Sequence, residues 1–152
     1  QSNIDVELKA SLQSGEPSIT VNNLNQLEPV VDRSLFLFHS TLVKNPNGDI
    51  SVPRLIKKIV EKIEDKDDFI NTLFAAGYST EHEDMWDSFR FSVIEKTSYK
   101  VTNDFPRINQ NSFINSSIPD SISKIRYDIE LNKLNKFKIE NKSLINLLYQ
   151  SE

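Results

Sequence analysis

Asp5-Val6-Glu7-Leu8-Lys9 alternates charged and apolar residues without a break. A strand has a side-chain period of two, so this stretch reads as a β-strand carrying Asp5, Glu7 and Lys9 on one face and sending Val6 and Leu8 into the core. Two carboxylates and an ammonium on one side of a strand pair or repel at close range. Such a set suits a site where a divalent cation sits between carboxylates and a polarised phosphate oxygen needs a cationic neighbour. Alternation on a half-exposed strand also produces Glu-x-Lys with no chemistry attached, so the strand is established and its charged face keeps two readings.

Outward from that strand the pattern is α/β. Ser14-Gly15-Glu16-Pro17 is a turn, with Gly free to take positive φ and Pro setting the exit. Ile19 to Val21 is a short strand, and Asn22 or Asn23 caps a brief helix through Leu27 that must end before Pro29. Ser34 to Val43, rich in Leu, Phe and Val, reads as a strand buried on both faces, turned at its end by Asn45-Pro46-Asn47-Gly48. Two helices follow. The first has Ser51 as N-cap, Pro53 in its first turn, and a stripe of Leu55, Ile56, Ile59, Val60 and Ile63 opposite Lys57, Lys58, Glu61 and Lys62. The second runs from Lys66 to Ala76, with Asp67 and Asp68 at its positive end, Phe69, Ile70, Leu73 and Phe74 inward, and Gly77 as the stop. Both stripes are expected to cover the Leu35 to Leu42 strand. Phe89 to Val101 reads as one or two strands, Ile122 to Leu131 as another, and Leu144 to Tyr149 as a terminal helix, with Asn103 to Pro119 turn-rich between them.

Composition bounds the chemistry. A chain of 152 residues holds one core of ordinary domain size, and 1–152 is expected to be a single domain. It has no cysteine, hence no disulfide or thiolate site, and no uninterrupted apolar run or leader segment, so a soluble, cytoplasmic protein without a membrane partner is expected. The 18 Lys and Arg against 22 Asp and Glu leave a net charge of −4, which does not attract a DNA duplex to the chain as a whole. Residues 101–152 carry 7 basic and 6 acidic side chains against 11 and 16 in residues 1–100, an asymmetry too small to make a basic patch. Three glycines form no phosphate loop, and no Ser or Cys nucleophile motif is present. His39 and His82 lack metal-ligand spacing; His39 reads as a hydrogen-bonded core or edge residue, and Glu81-His82-Glu83-Asp84 as a solvated cluster.

The order of features from Val6 to Phe137 resembles a family of nucleases of the PD-(D/E)XK class, often found beside restriction and phage-defence genes. The resemblance rests on Val6-Glu7-Leu8-Lys9, Ile19-Thr20-Val21 leading into Leu24-Asn25-Gln26-Leu27, Asp32-Arg33-Ser34-Leu35-Phe36-Leu37, Ala75-Ala76-Gly77-Tyr78, Asp104-Phe105-Pro106-Arg107-Ile108 and Ile125-Arg126-Tyr127-Asp128-Ile129-Glu130-Leu131. It implies a restriction-endonuclease-like α/β fold, a mixed sheet flanked by helices. Proteins of this class carry a first metal-binding Asp on the strand before Glu-x-Lys, yet only six residues precede Glu7 and the chain opens on Gln1. The expectation is therefore the C-terminal portion of a longer protein with the N-terminal part of the fold missing, inactive as a fragment.

The implied function is a Mg²⁺-dependent (or Mn²⁺-dependent) DNA endonuclease of a restriction or phage-defence system. Glu7 and the Leu8 carbonyl would hold the metal, Lys9 would sit by the scissile phosphate, and Gln26 would lie near them on the helix after the catalytic strand. Asp5 either adds to the metal site or is an exposed edge carboxylate, the reading favoured; Gln26 has the alternative of a plain helix-surface residue. Arg107 contacts a phosphate or a protein carboxylate, with a structural role favoured because Phe105 and Pro106 read as packing residues. DNA, other defence-system subunits and a second copy in a homodimer are the partners compatible with this reading. The alternative is a non-catalytic scaffold with a nuclease-like fold that holds partner subunits.

Overall fold

The alternating stretch forms β1, Ile4–Leu12, and a turn through Gly15 leads to β2, Ser18–Val21. Asn23 stays extended so that its side-chain oxygen accepts from the N–H groups of Asn25 and Gln26, which nucleates a 3-10 turn at Leu24–Leu27. The chain continues through β3 (Ser34–Lys44), α1 (Val52–Val60), α2 (Lys66–Ala75), α3 (Glu83–Ser88), β4 (Phe91–Val101), β5 (Tyr127–Glu130), β6 (Lys138–Ile139) and α4 (Asn141–Tyr149). The structure, a computed structural model, describes residues 3–149. The chain divides into two units, residues 1–41 with 94–152, and residues 42–93.

A four-stranded sheet in the order β1-β3-β4-β6 organises the first unit. The Asn3 carbonyl accepts from the Ser34 N–H at 2.8 Å while Ser11 Oγ meets His39 Nε2 at 2.9 Å, so β1 and β3 run in the same direction. Parallel neighbours require a crossover, which residues 13–33 provide. β6 is antiparallel to β4, with Ser98 opposite Ile139, so the sheet is mixed. A second layer pairs β2 with β5 in antiparallel register, Ser18 opposite Glu130, and Thr20 Oγ1 donates to Asp128 Oδ1 at 2.6 Å. The core fills between the layers with Ile19, Val21, Leu27, Leu35, Leu37, Tyr99, Val101, Phe105 and Ile129 among its members. Each such side chain contributes about 1.5–3 kcal/mol by leaving water. Phe36 is buried from the opposite sheet face, as a strand covered on both sides requires. On β4 Ser98 Oγ donates to Asn141 Oδ1 at 2.7 Å and Asn141 Nδ2 donates to the Lys96 carbonyl at 3.0 Å, which pins the start of α4 and lets Leu144 bury.

The second unit is helical and tied by one carboxylate. Asp87 accepts from Ser51 Oγ at 2.5 Å, Arg54 Nε at 3.1 Å and Arg90 Nη2 at 2.5 Å, joining the start of α1 to the end of α3. Ser51 is extended, as an N-cap should be, but gives its hydroxyl to Asp87 and caps no helix N–H. The Ser51 hydrogen bond first, then those from Arg90 and Arg54, hold the Asp87 carboxyl at a pKa of about 2. At Gly48, whose N–H donates to the Asn45 carbonyl at 2.8 Å, any Cβ would collide with the Phe91 carbonyl, so the turn admits only glycine.

Four expectations are corrected. Leu8 does not enter the core: it is 70% exposed, because the inward positions of β1 are taken by Glu7, Lys9 and Ser11. The stripes of α1 and α2 are not buried, with Leu55, Ile59 and Phe74 at 43%, 40% and 49% exposure, and α1 packs on α3. α3 itself forms where a solvated loop was expected, since Glu83 and Asp84 favour the positive end of a helix. The strand expected over Ile122 to Leu131 contracts to Tyr127–Glu130, a length set by its four-residue partner β2.

Candidate active site on β1

The inward face of β1 carries an interlocked polar group. Lys9 Nζ lies 3.1 Å from Glu7 Oε1 and donates to Gln26 Oε1 at 3.0 Å. Gln26 is itself fixed, because its Oε1 also accepts from the Asn22 N–H at 2.8 Å and its own N–H is held by Asn23. The side chains of Lys9 and Glu7 are only 14% and 24% exposed, so two of the three ammonium donors are committed in a partly desolvated setting. Screening by water is weaker there than at the surface, and the ammonium is held in a defined position. Two residues further along the same face, Ser11 Oγ meets His39 Nε2. Burial pushes the His39 pKa down, against the opposing pull of the Glu95 charge, so the imidazole is neutral at pH 7.

The remaining predicted residues lie elsewhere or are engaged. Asp5 is gripped by Arg33 through two hydrogen bonds, Nε to Oδ2 at 2.7 Å and Nη2 to Oδ1 at 2.6 Å, and Nη2 also reaches the Ile4 carbonyl at 3.0 Å. The hydrogen bond from Arg33 lowers the Asp5 pKa. Arg107, whose side chain is 7% exposed, donates to Glu28 Oε2 at 3.2 Å and to the Thr102 carbonyl at 2.8 Å, bracing the loop after β4. Phe105 in that loop stacks at a tilt on Phe137, ring centroids 4.9 Å apart. Leu8 contributes its backbone between Glu7 and Lys9 while its side chain faces away.

As a place for a hard divalent cation this face is partial. Mg²⁺ takes near-octahedral oxygen coordination, with one or two carboxylates and several waters. Glu7 offers one carboxylate, already shared with Lys9, and Asp5 is occupied by Arg33. Among the described residues no group of three His, Cys, Asp or Glu side chains converges. The donor set therefore fits part of such a site and does not complete it. Ser11, Asn22 and Asn23 were not singled out as site residues from the sequence; the i+2 spacing from Lys9 was the available signal for Ser11, while the asparagines act through the crossover turn.

The mixed four-stranded sheet with its helices is consistent with a PD-(D/E)XK-like fold. Residues 1–132 match the family described as "Putative PD-(D/E)XK family member, (DUF4420)", and the chain belongs to it. No curated protein and no solved structure matches the chain. Among the described residues no helix is long and apolar enough to cross a membrane.

Proposed function

We propose that this chain supplies the Glu-x-Lys part of the active centre of a divalent-cation-dependent DNA endonuclease, acting in restriction or phage defence. One observation carries the reading: in a member of a PD-(D/E)XK family, Glu7, Lys9 and Gln26 meet within 3.1 Å on a half-buried strand face. Glu7 is the carboxylate available to a Mg²⁺ or Mn²⁺ ion, with the Leu8 carbonyl beside it. The ion, when bound, would activate water and neutralise phosphate charge. Lys9 faces the phosphate and stabilises the charge that develops on its oxygens. Gln26 keeps the Lys9 ammonium at its post and prevents it from collapsing wholly onto Glu7. The overall charge of −4 requires DNA attraction to come from a surface beyond this face.

The test is cleavage of plasmid DNA by the full-length protein with Mg²⁺ and with EDTA. Glu7→Gln and Lys9→Ala should each lower the rate by about 10²-fold to 10³-fold while circular dichroism and the unfolding midpoint stay unchanged. One observation supports a non-catalytic scaffold as the second reading: the Glu7 carboxylate is already paired with Lys9 through Oε1. Unaltered defence activity in both variants would establish that reading and discard the nuclease one.

A further inference from the structure

Apart from the Glu7–Lys9 pair the first unit holds a second feature, a cavity of about 240 Å³ whose lining includes His39, Thr41, Glu95, Thr97, Asn135 and Lys138. Its floor is buried and polar: His39 and Thr41 are 2% and 7% exposed. Burying a polar group is costly unless it is hydrogen-bonded. His39 uses Nε2 on Ser11, yet its Nδ1 and the Thr41 hydroxyl have no side-chain partner among the described residues, and neither is sealed from the cavity. His39 and Thr41 thus present polar atoms to the cavity that a ligand there can hydrogen-bond.

The lining also limits what that ligand is. Glu95 and Lys138 at the rim cancel in charge, so the cavity is not built for a phosphate, which draws an excess of Arg and Lys. A neutral imidazole, two threonine hydroxyls, a carboxylate and the amides of Asn132 and Asn135 supply donors and acceptors together, and Pro17 and Tyr99 add apolar wall. That mixture matches the hydrogen-bonding edge and flat faces of a nucleobase. The volume, below the range usual for larger organic ligands, admits a single base. Ser11, which reaches the cavity floor through His39, stands two residues from Lys9 on the same face of β1, about 6.6 Å along the strand. The cavity floor and Lys9 therefore lie on one face of the sheet.

We propose that this cavity is a nucleobase subsite, taking the base of a nucleotide whose phosphate lies at Lys9 and selecting which base stands beside the cut; the inference rests on the nuclease reading above. Glu95 and Thr97 read the base edge from the rim, while His39 and Thr41 meet it from the floor.

The experiment titrates the full-length protein with each of the four deoxynucleoside 5′-monophosphates and with deoxyribose 5-phosphate, following the His39 imidazole resonances by NMR. At least one mononucleotide should bind 10-fold or more tighter than the sugar phosphate and shift the His39 signals. Thr97→Val and Glu95→Gln, both near-isosteric, should remove that ratio or change which base is preferred, with the unfolding midpoint unchanged. Equal affinity for sugar phosphate and mononucleotides, or a ratio untouched in both variants, overturns the proposal. Plasmid cleavage is scored in parallel: base-selective binding without cleavage keeps the subsite and removes the nuclease reading, whereas cleavage without base-selective binding removes the subsite alone.

Discussion

β1 and α1 are both amphipathic, and the two elements dispose of their faces in opposite ways. In β1 the charged set Glu7 and Lys9 turns inward and is held by Gln26, while Leu8 faces out at 70% exposure. In α1 the apolar stripe keeps Leu55 and Ile59 at 43% and 40% exposure, and what fixes the helix is a polar clasp of Ser51 and Arg54 on Asp87. Periodicity identifies which residues share a face in each case. It does not say which face is covered, because that depends on what the rest of the chain brings to it. In the first unit the stability resides in the sandwich core, and in the second a larger share resides in directional polar contacts.

The sharpest test of that contrast is Leu37→Ala, which empties a fully buried site in the first core. It should cost about 2–5 kcal/mol in denaturant unfolding followed by far-ultraviolet circular dichroism. A smaller loss would mean that the sandwich is not the stabilising centre. Next in size is Gln26→Leu, which takes from Lys9 one of its two partners and leaves Glu7. Cleavage by the full-length protein should fall about 10-fold to 100-fold through misplacement of the ammonium, with the fold intact. An unaffected rate would show that Glu7 alone positions Lys9.

The polar clasp of the second unit makes a pH prediction. The Asp87 carboxyl is held at about 2, below its ordinary value of 3.8, so its contribution is fully present above the unfolded value and disappears as pH falls through about 2. The single tryptophan, Trp86, adjoins it and reports on this unit. Its fluorescence should show a transition between pH 4 and pH 2 that Asp87→Asn weakens, along with a lower unfolding midpoint for the variant at pH 7. An identical acid profile in the variant would remove Asp87 from the clasp. The smallest effect is expected for Ile59→Asp, less than about 1 kcal/mol, because the site is already open to water. Unfolding by that substitution would instead mean that the stripe is covered in solution, and would erase the contrast with β1.

The residues themselves carried much of this. Alternation placed β1, Pro53 marked the first turn of α1, the Leu-Phe run made β3 a strand buried on both sides, and Gly77 at φ +92° stops the second helix. These are local matters of sterics and period, decided within a few residues. The meeting of Lys9 with Gln26, the bracing of Asp5 by Arg33 and the polar floor of His39 and Thr41 were decided by tertiary structure. The crossover that makes β1 and β3 parallel brings Asn22 and Gln26 over the charged face of β1 and so turns that face inward. No local propensity encodes that choice, since a strand with period two presents either face equally well until long-range packing supplies partners for one of them.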